Sequence, residues 1–190
     1  MKALENVYGI IKRRIRVICL AGVLLLLPAT GYYVYEKCTG NFHAITANEA
    51  YRSAQLNKKQ FEHYIKRYSI KSVLNLRGKN LNDQWYKDEI NICEILGVAH
   101  YDIELSAGRE PTDEETRILL ETFYSAPRPI LIHCQAGADR SGLVSAMWKF
   151  AVDKESKSQA GKQLTFLYGH LPFGRTQAMN RFYERWHISE

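Results

Sequence analysis

The stretch His133-Cys134-Gln135-Ala136-Gly137-Ala138-Asp139-Arg140-Ser141-Gly142 gathers side chains that could act together on one anion. A cysteine, then an arginine six positions on, then a hydroxyl residue supplies a nucleophile, a fixed positive charge and a hydrogen-bond partner for the sulfur. If a strand ends at Cys134 and a helix starts near Ser141, the amides of Gln135, Ala136, Gly137, Ala138, Asp139 and Arg140 curl around an anion at a helix N-terminus. Those dipoles also favour a thiolate, lowering a thiol pKa from about 8.5 into the range of about 3.5–7.5. Arg140 offers a planar fork to two phosphoryl oxygens, which lysine would not match. Gly137 permits close backbone approach, and Ser141 can hydrogen-bond the sulfur as it departs. This is nucleophilic phosphoryl transfer, and it needs neither metal nor cofactor.

A loop of this kind has to be held by a central strand and the helix that follows. Pro129-Ile130-Leu131-Ile132 is short and fully apolar, as a strand buried on both faces is. Lys71–Leu76 and Val98–Ile103 read as further strands. Leu56–Tyr68, with Phe61, Tyr64, Ile65 and Tyr68 on one side, and Asp83–Leu96, with Trp85, Ile90, Cys93 and Leu96, read as the helices between them. Thr112-Asp113-Glu114-Glu115 is a capping box for a helix turning Ile118, Leu119 and Phe123 inward, and Asp113 is assigned to that helix start. After Cys134 the pattern is helical through Leu143, Val144, Met147 and Phe150, and two more helices are expected near Ser156–Tyr168 and Thr176–Trp186. The expected fold is α/β, a small central and mostly parallel sheet flanked by helices.

Ahead of this lies a different composition. Val17–Tyr35 carries no charge over nineteen residues, a length that spans about 28 Å as a helix, close to the hydrocarbon thickness of a bilayer. Lys12, Arg13, Arg14 and Arg16 flank its start and Tyr32, Tyr33 and Tyr35 its end. This is the order expected of a transmembrane anchor with the N-terminus cytoplasmic and the remainder extracytoplasmic, periplasmic in a Gram-negative source. A cleaved secretory signal shares the charge order, but Pro28-Ala29-Thr30-Gly31 is a poor cleavage site and the aromatic end favours retention. The segments expected are a basic stretch 1–16, a signal anchor 17–35 and a folded domain 38–190.

The net charge of +6 over 190 residues is concentrated at the start: the first 37 residues hold six basic and two acidic side chains. The rest is nearly balanced, which excludes an extended phosphate-tracking face and hence a nucleic-acid partner. Four cysteines without a Cys-x-x-Cys pair exclude a disulfide scaffold and a structural zinc site. In an oxidising compartment Cys38 and Cys93 are expected to pair.

His133 to Ser141 resembles the His-Cys-x5-Arg-Ser/Thr signature of the cysteine-dependent protein tyrosine and dual-specificity phosphatase superfamily. Tyr51-Arg52-Ser53-Ala54-Gln55, Val73-Leu74-Asn75-Leu76-Arg77 and Leu105-Ser106-Ala107 look like its compact bacterial group, over roughly residues 41–186. The resemblance implies hydrolysis through a cysteinyl-phosphate, with Cys134 as nucleophile and Arg140 binding phosphate. It implies that His133 fixes the loop by hydrogen bonds. It also implies an acid for the leaving oxygen, commonly an Asp in the loop after the strand equivalent to Val98–Ile103, where Leu105–Arg109 has none. Asp102, Glu104, Glu110 and Asp139 are the substitutes. Asp139, immediately before the arginine as in phosphoinositide and some bacterial lipid and protein phosphatases, is favoured over Asp102, with orientation of Arg140 as its alternative role. Arg52 and Arg77 are weighed as pocket ligands against ordinary surface or strand-end positions, and His170 is read as structural.

The sequence therefore leads to an anchored phosphatase acting on phosphomonoesters, phosphotyrosine and in addition phosphoserine or phosphothreonine in proteins. Phospholipid or phosphoinositide headgroups are the alternative substrates, and a catalytically weak phosphate-binding recruitment module is the alternative function. Gln135, Ala136 and Ala138 bring no lysine to the loop, which favours a single phosphoryl group over a highly charged polyphosphate.

Overall fold

A computed structural model describes residues 2–187. The chain divides into two compact units, residues up to 38 and residues from 39 onward. The first is a single helix, α1 (Lys2–Thr39), with Pro28 inside it. Its stretch Ile11–Thr39 is long and apolar enough to cross a membrane, a property that secretory signals share.

The second unit is built on a mixed five-stranded sheet: β1 (His43–Thr46), β2 (Ala50–Ser53), β3 (Ser72–Asn75), β4 (Ala99–Asp102) and β5 (Ile130–His133), in the order β1-β2-β5-β3-β4. Only β1 runs antiparallel; β2, β5, β3 and β4 are mutually parallel. Registers place Ser53 and Asn75 opposite His133, and Asp102 opposite Asn75. The C-terminal ends of four strands thus finish level, and loops leaving that edge converge, which is where open α/β sheets place their sites.

The expected strands and helices appear within a residue or two of their predicted bounds, as α2 (Lys58–Arg67), α3 (Gln84–Leu96), α4 (Asp113–Ser125), α5 (Asp139–Ala151) and α7 (Gln177–Arg185). Side chains alternate along β5: Ile130 and Ile132 join the core beneath α4, α5 and α7, while Leu131 joins the core beneath α2 and α3. Asn57 and Gln60 cap α2 reciprocally, and Thr112 and Glu115 do the same for α4.

Four expectations are corrected. The strands β1 and β2 were not anticipated, because β2 carries a charged Arg52 that is nonetheless fully buried. The inward face of α3 is Tyr86, Glu89, Ile92 and Cys93; Trp85 and Ile90 are only half-buried. The helix expected over Ser156–Tyr168 is one α-turn, α6 (Lys157–Ala160), followed by 3-10 turns at Gly161–Gln163 and Phe166–Tyr168. Thr165 is extended between them, and Gly169 adopts φ +80 just after. Cys93 is a buried thiol in the α2–α3 core and joins no disulfide, so the pairing with Cys38 is not formed.

Candidate active site

The chain leaves β5 at His133, turns through residues 134–138 and enters α5 at Asp139. This loop is held from outside, carbonyl by carbonyl. Gln135 O accepts from the Gln55 amide at 3.2 Å and Ala136 O from Asn41 Nδ2 at 3.1 Å. Gly137 O and Ala138 O accept from Arg52 Nη2 at 2.8 and 3.2 Å. In a trans peptide the carbonyl and the next amide point opposite ways. Four carbonyls fixed outward therefore turn the amides of Ala136, Gly137, Ala138 and Asp139 into the concavity, at the N-terminus of α5.

Gly137 is required here by conformation and by space. Its φ is +70, and a Cβ would lie 2.6 Å from the Ala54 nitrogen and 2.8 Å from the Ser53 carbonyl carbon. The loop is thus pressed against the end of β2.

Cys134 sits at the foot of the loop, 2% exposed, with Sγ 3.3 Å from Ser141 Oγ. Arg140 enters from the first turn of α5, and its Nη1 donates to Leu76 O and Leu105 O, both at 3.3 Å. Its Nε is buried without a hydrogen-bond partner, a donor that an oxyanion in the concavity would satisfy. The structure thus brings Cys134, Gln135, Ala136, Gly137, Ala138, Asp139, Arg140 and Ser141 into one cradle of sulfur, amides and guanidinium.

The two weighed arginines part company. Arg52 lies behind the loop, bound to its carbonyls and to Gln163 O and Oε1, with its guanidinium 4.3 Å from the centre of the Tyr168 ring. It is a brace and neither a ligand nor a surface group. Arg77 stacks on Trp85 at 3.9 Å and donates to Gln55 Oε1. Burial and the neighbouring Arg140 push its pKa down, while Asp83, Glu89 and Cys134 oppose them. Two guanidinium groups close enough to repel each other describe a mouth that favours an anion.

The carboxylates separate as clearly. Asp102 accepts from Asn75 Nδ2 at 2.7 Å through one oxygen and from Tyr86 OH at 2.6 Å through the other. With both oxygens engaged, it is a buttress for the strand ends. Glu104 is exposed, and Glu110 is paired with Arg181 and Arg185. Asp139, in the first turn of α5, is the one within the loop, and its Oδ1 contacts His170 Nδ1 at 2.7 Å.

A family model described as DSP-PTPase phosphatase fused to NAD+ kinase matches residues 34–180. The chain belongs to this phosphatase family. Among curated proteins, inositol diphosphatase SIW14 of Saccharomyces cerevisiae is 28% identical over 99 residues, 50% of this chain and 34% of that protein. The match thus spans about a third of the relative's length. Among solved structures, TpbA of P. aeruginosa superposes with TM-score 0.62 at 22% identity, covering 77% of this chain and 85% of that one. The Siw14 catalytic core gives 0.61 at 22% identity, with 77% and 85% covered. At such identities the superpositions establish the fold.

The phosphatase domain also contains groups that the sequence reading missed. Glu89, 2% exposed, contacts His133 Nε2 at 3.0 Å and His100 Nε2 at 2.8 Å through Oε1, and accepts from Gln55 Nε2 through Oε2. Burial works to raise its pKa, but the charge of His133 and the hydrogen bonds from both histidines outweigh it and hold the carboxyl far below its ordinary range. His133 is therefore fixed by Glu89, and Glu89 by a residue of the loop's outer brace. The readable signal was a glutamate on the 86-89-93 stripe of a helix otherwise apolar there. Asn41, bonding Ala136 O and Tyr168 O, had no such signal.

Proposed function

We propose that this phosphatase hydrolyses phosphomonoesters through a cysteinyl-phosphate, as a membrane-anchored enzyme. The cradle of outward-fixed carbonyls around Cys134 is the observation that carries the reading. Phosphate oxygens take the amides of Gln135 to Arg140 and the fork of Arg140, and the Cys134 sulfur attacks phosphorus in line with the ester oxygen. The P–O bond breaks as the P–S bond forms, and Asp139 gives the leaving oxygen its proton. Water then attacks phosphorus, giving its proton to Asp139, and the sulfur leaves as a thiolate stabilised by Ser141.

Phosphotyrosine in proteins is the favoured substrate, with phosphoserine, phosphothreonine and lipid headgroups open to the same chemistry. The loop without lysine supports a single phosphoryl group, and a fold neighbour, TpbA, has been crystallised with phosphotyrosine. The relative SIW14 is an inositol diphosphatase, which supports a second reading on inositol pyrophosphates. The apolar stretch of α1 supports an uncleaved anchor over residues 17–35, with domain 38–190 outside the cytoplasm; the cluster Lys12 to Arg16 supports that orientation.

The test is turnover by the full chain in detergent, with chelator, on aryl phosphate, phosphotyrosine and phosphoserine peptides, phosphoinositides and inositol pyrophosphate. Turnover abolished by Cys134→Ser and highest on phosphotyrosine peptide is expected. Preference for the pyrophosphate would move the function to the second reading. Phosphate binding without turnover on any substrate would make the domain a recruitment module.

A further inference from the structure

The segment between α6 and α7 exposes large apolar side chains in close succession: Phe166 at 73%, Leu167 at 53%, Leu171 at 54% and Phe173 at 74%. Residues 171–175, Arg175 among them, are exposed throughout, and so is Lys162. Such a concentration on an otherwise well-packed domain marks an interaction surface. Its middle is nevertheless rigidly held. Tyr168 O accepts from Asn41 Nδ2 at 3.0 Å, and His170 is fully buried between Asp139 and Asn180. The apolar groups therefore project from a firm base adjoining the catalytic loop.

Chain connectivity names the occupant. Asn41 holds both Ala136 of the loop and Tyr168 of this segment, and it stands two residues after the end of α1. From Tyr35 to Asn41 the backbone travels at most about 13 Å, four helical rises and two extended residues. If the tyrosines mark the bilayer interface, Tyr168 lies within that reach plus one asparagine side chain, whatever angle α1 makes with the domain. The exposed residues flanking Tyr168 are thus tethered within about 20 Å of that interface, and they have the aromatic, aliphatic and basic composition of interfacial segments.

We infer that the 164–175 segment is a bilayer-docking surface: Phe166, Leu167, Leu171 and Phe173 rest in the lipid interface, with Lys162 and Arg175 among anionic headgroups. The inference rests on the anchored reading of α1 and adds a second membrane contact, one that fixes how the active site faces the surface.

The full chain is reconstituted into phosphatidylcholine–phosphatidylglycerol vesicles carrying a photoactivatable phospholipid, and lipid adducts are mapped by peptide mass spectrometry. Adducts both on α1 and on 164–175 are expected. In the Phe166→Ser/Leu171→Ser/Phe173→Ser chain those on 164–175 should vanish while those on α1 and aryl phosphate turnover in detergent persist. Adducts on α1 alone would overturn the docking surface and leave the anchor standing. Absence of adducts on α1 would overturn the anchor, and the docking inference with it. A concentration-dependent dimer in detergent, crosslinked through 164–175, would assign the patch to a second copy and overturn the inference.

Discussion

Asp139 Oδ1 and His170 Nδ1 lie 2.7 Å apart, and the other nitrogen of the same ring lies 2.7 Å from Asn180 Oδ1. An oxygen at each ring nitrogen assigns a proton to both. Burial disfavours the charged ring, but the bonds to Asp139 and Asn180 outweigh it, and the His170 pKa is raised. The imidazole of raised pKa keeps a proton beside Asp139, the residue proposed above to protonate the leaving oxygen.

Asp139→Asn removes that proton. Turnover on an aryl phosphate with a poor leaving group should fall by about 10²–10⁴, the usual contribution of a general acid. The loss should shrink as the leaving phenol becomes more acidic. An equal loss on every leaving group would instead make Asp139 an orienter of Arg140.

His170→Gln takes the imidazole of raised pKa away from Asp139. The basic limb of the rate profile should then move to lower pH. An unmoved limb would detach His170 from the acid.

The same group sets a stability trend. A folded-state histidine pKa raised above the unfolded value of about 6.5 stabilises fully below that pH, and the contribution is lost as pH rises through the folded value. The unfolding free-energy difference between the native chain and His170→Gln, from denaturant titrations, should be largest below pH 6.5 and decline above it. A difference independent of pH would contradict the raised pKa.

Glu89→Ala leaves the buried His133 and the half-buried His100 without their carboxylate, which should cost about 3–5 kcal/mol in denaturant titrations. The depressed carboxyl pKa adds a sign: its stabilisation is full above about pH 4.3 and fades only as pH falls through the much lower folded value. The native chain should therefore outlast the variant well into acid. Equal acid midpoints would remove Glu89 from the support of His133.

Arg52→Lys keeps the charge but not the fork that reaches Gly137 O and Ala138 O. With charge-assisted hydrogen bonds worth about 1.5–3 kcal/mol each, the loop should loosen, raising KM for aryl phosphate and weakening phosphate binding by calorimetry. Native affinity in the lysine variant would mean that the carbonyls are held without Arg52.

The juxtaposition of Cys134 and Arg140 was legible because it is local: the first directly follows an apolar strand and the second lies in the first turn of the next helix. Asp113 and Thr112 were legible for the same reason. The supports were not. Arg52 and Glu89 look like surface residues in one dimension, and each is buried because a distant partner satisfies it, loop carbonyls for the first and two histidines for the second. Asp102 reads as an acid until Asn75 and Tyr86 occupy its two oxygens. Gly161, Thr165 and Gly169 broke a helix that the apolar spacing of 156–168 suggested, since side-chain spacing does not reveal where backbone turns are needed.

The outward wiring of the loop also sets when the enzyme comes into being. Asn41 is 95 residues from its partner Ala136 and 127 from Tyr168, and Arg52 is 85 and 86 residues from Gly137 and Ala138. Contacts this remote in sequence close late, after nearer ones have formed. Asn180, which completes the clamp on His170, lies in the first half of α7, later in the chain than all of these. The loop around Cys134 therefore reaches its final form only once the chain has been made through α7: a nascent polypeptide carries Cys134 well before the supports that shape its surroundings.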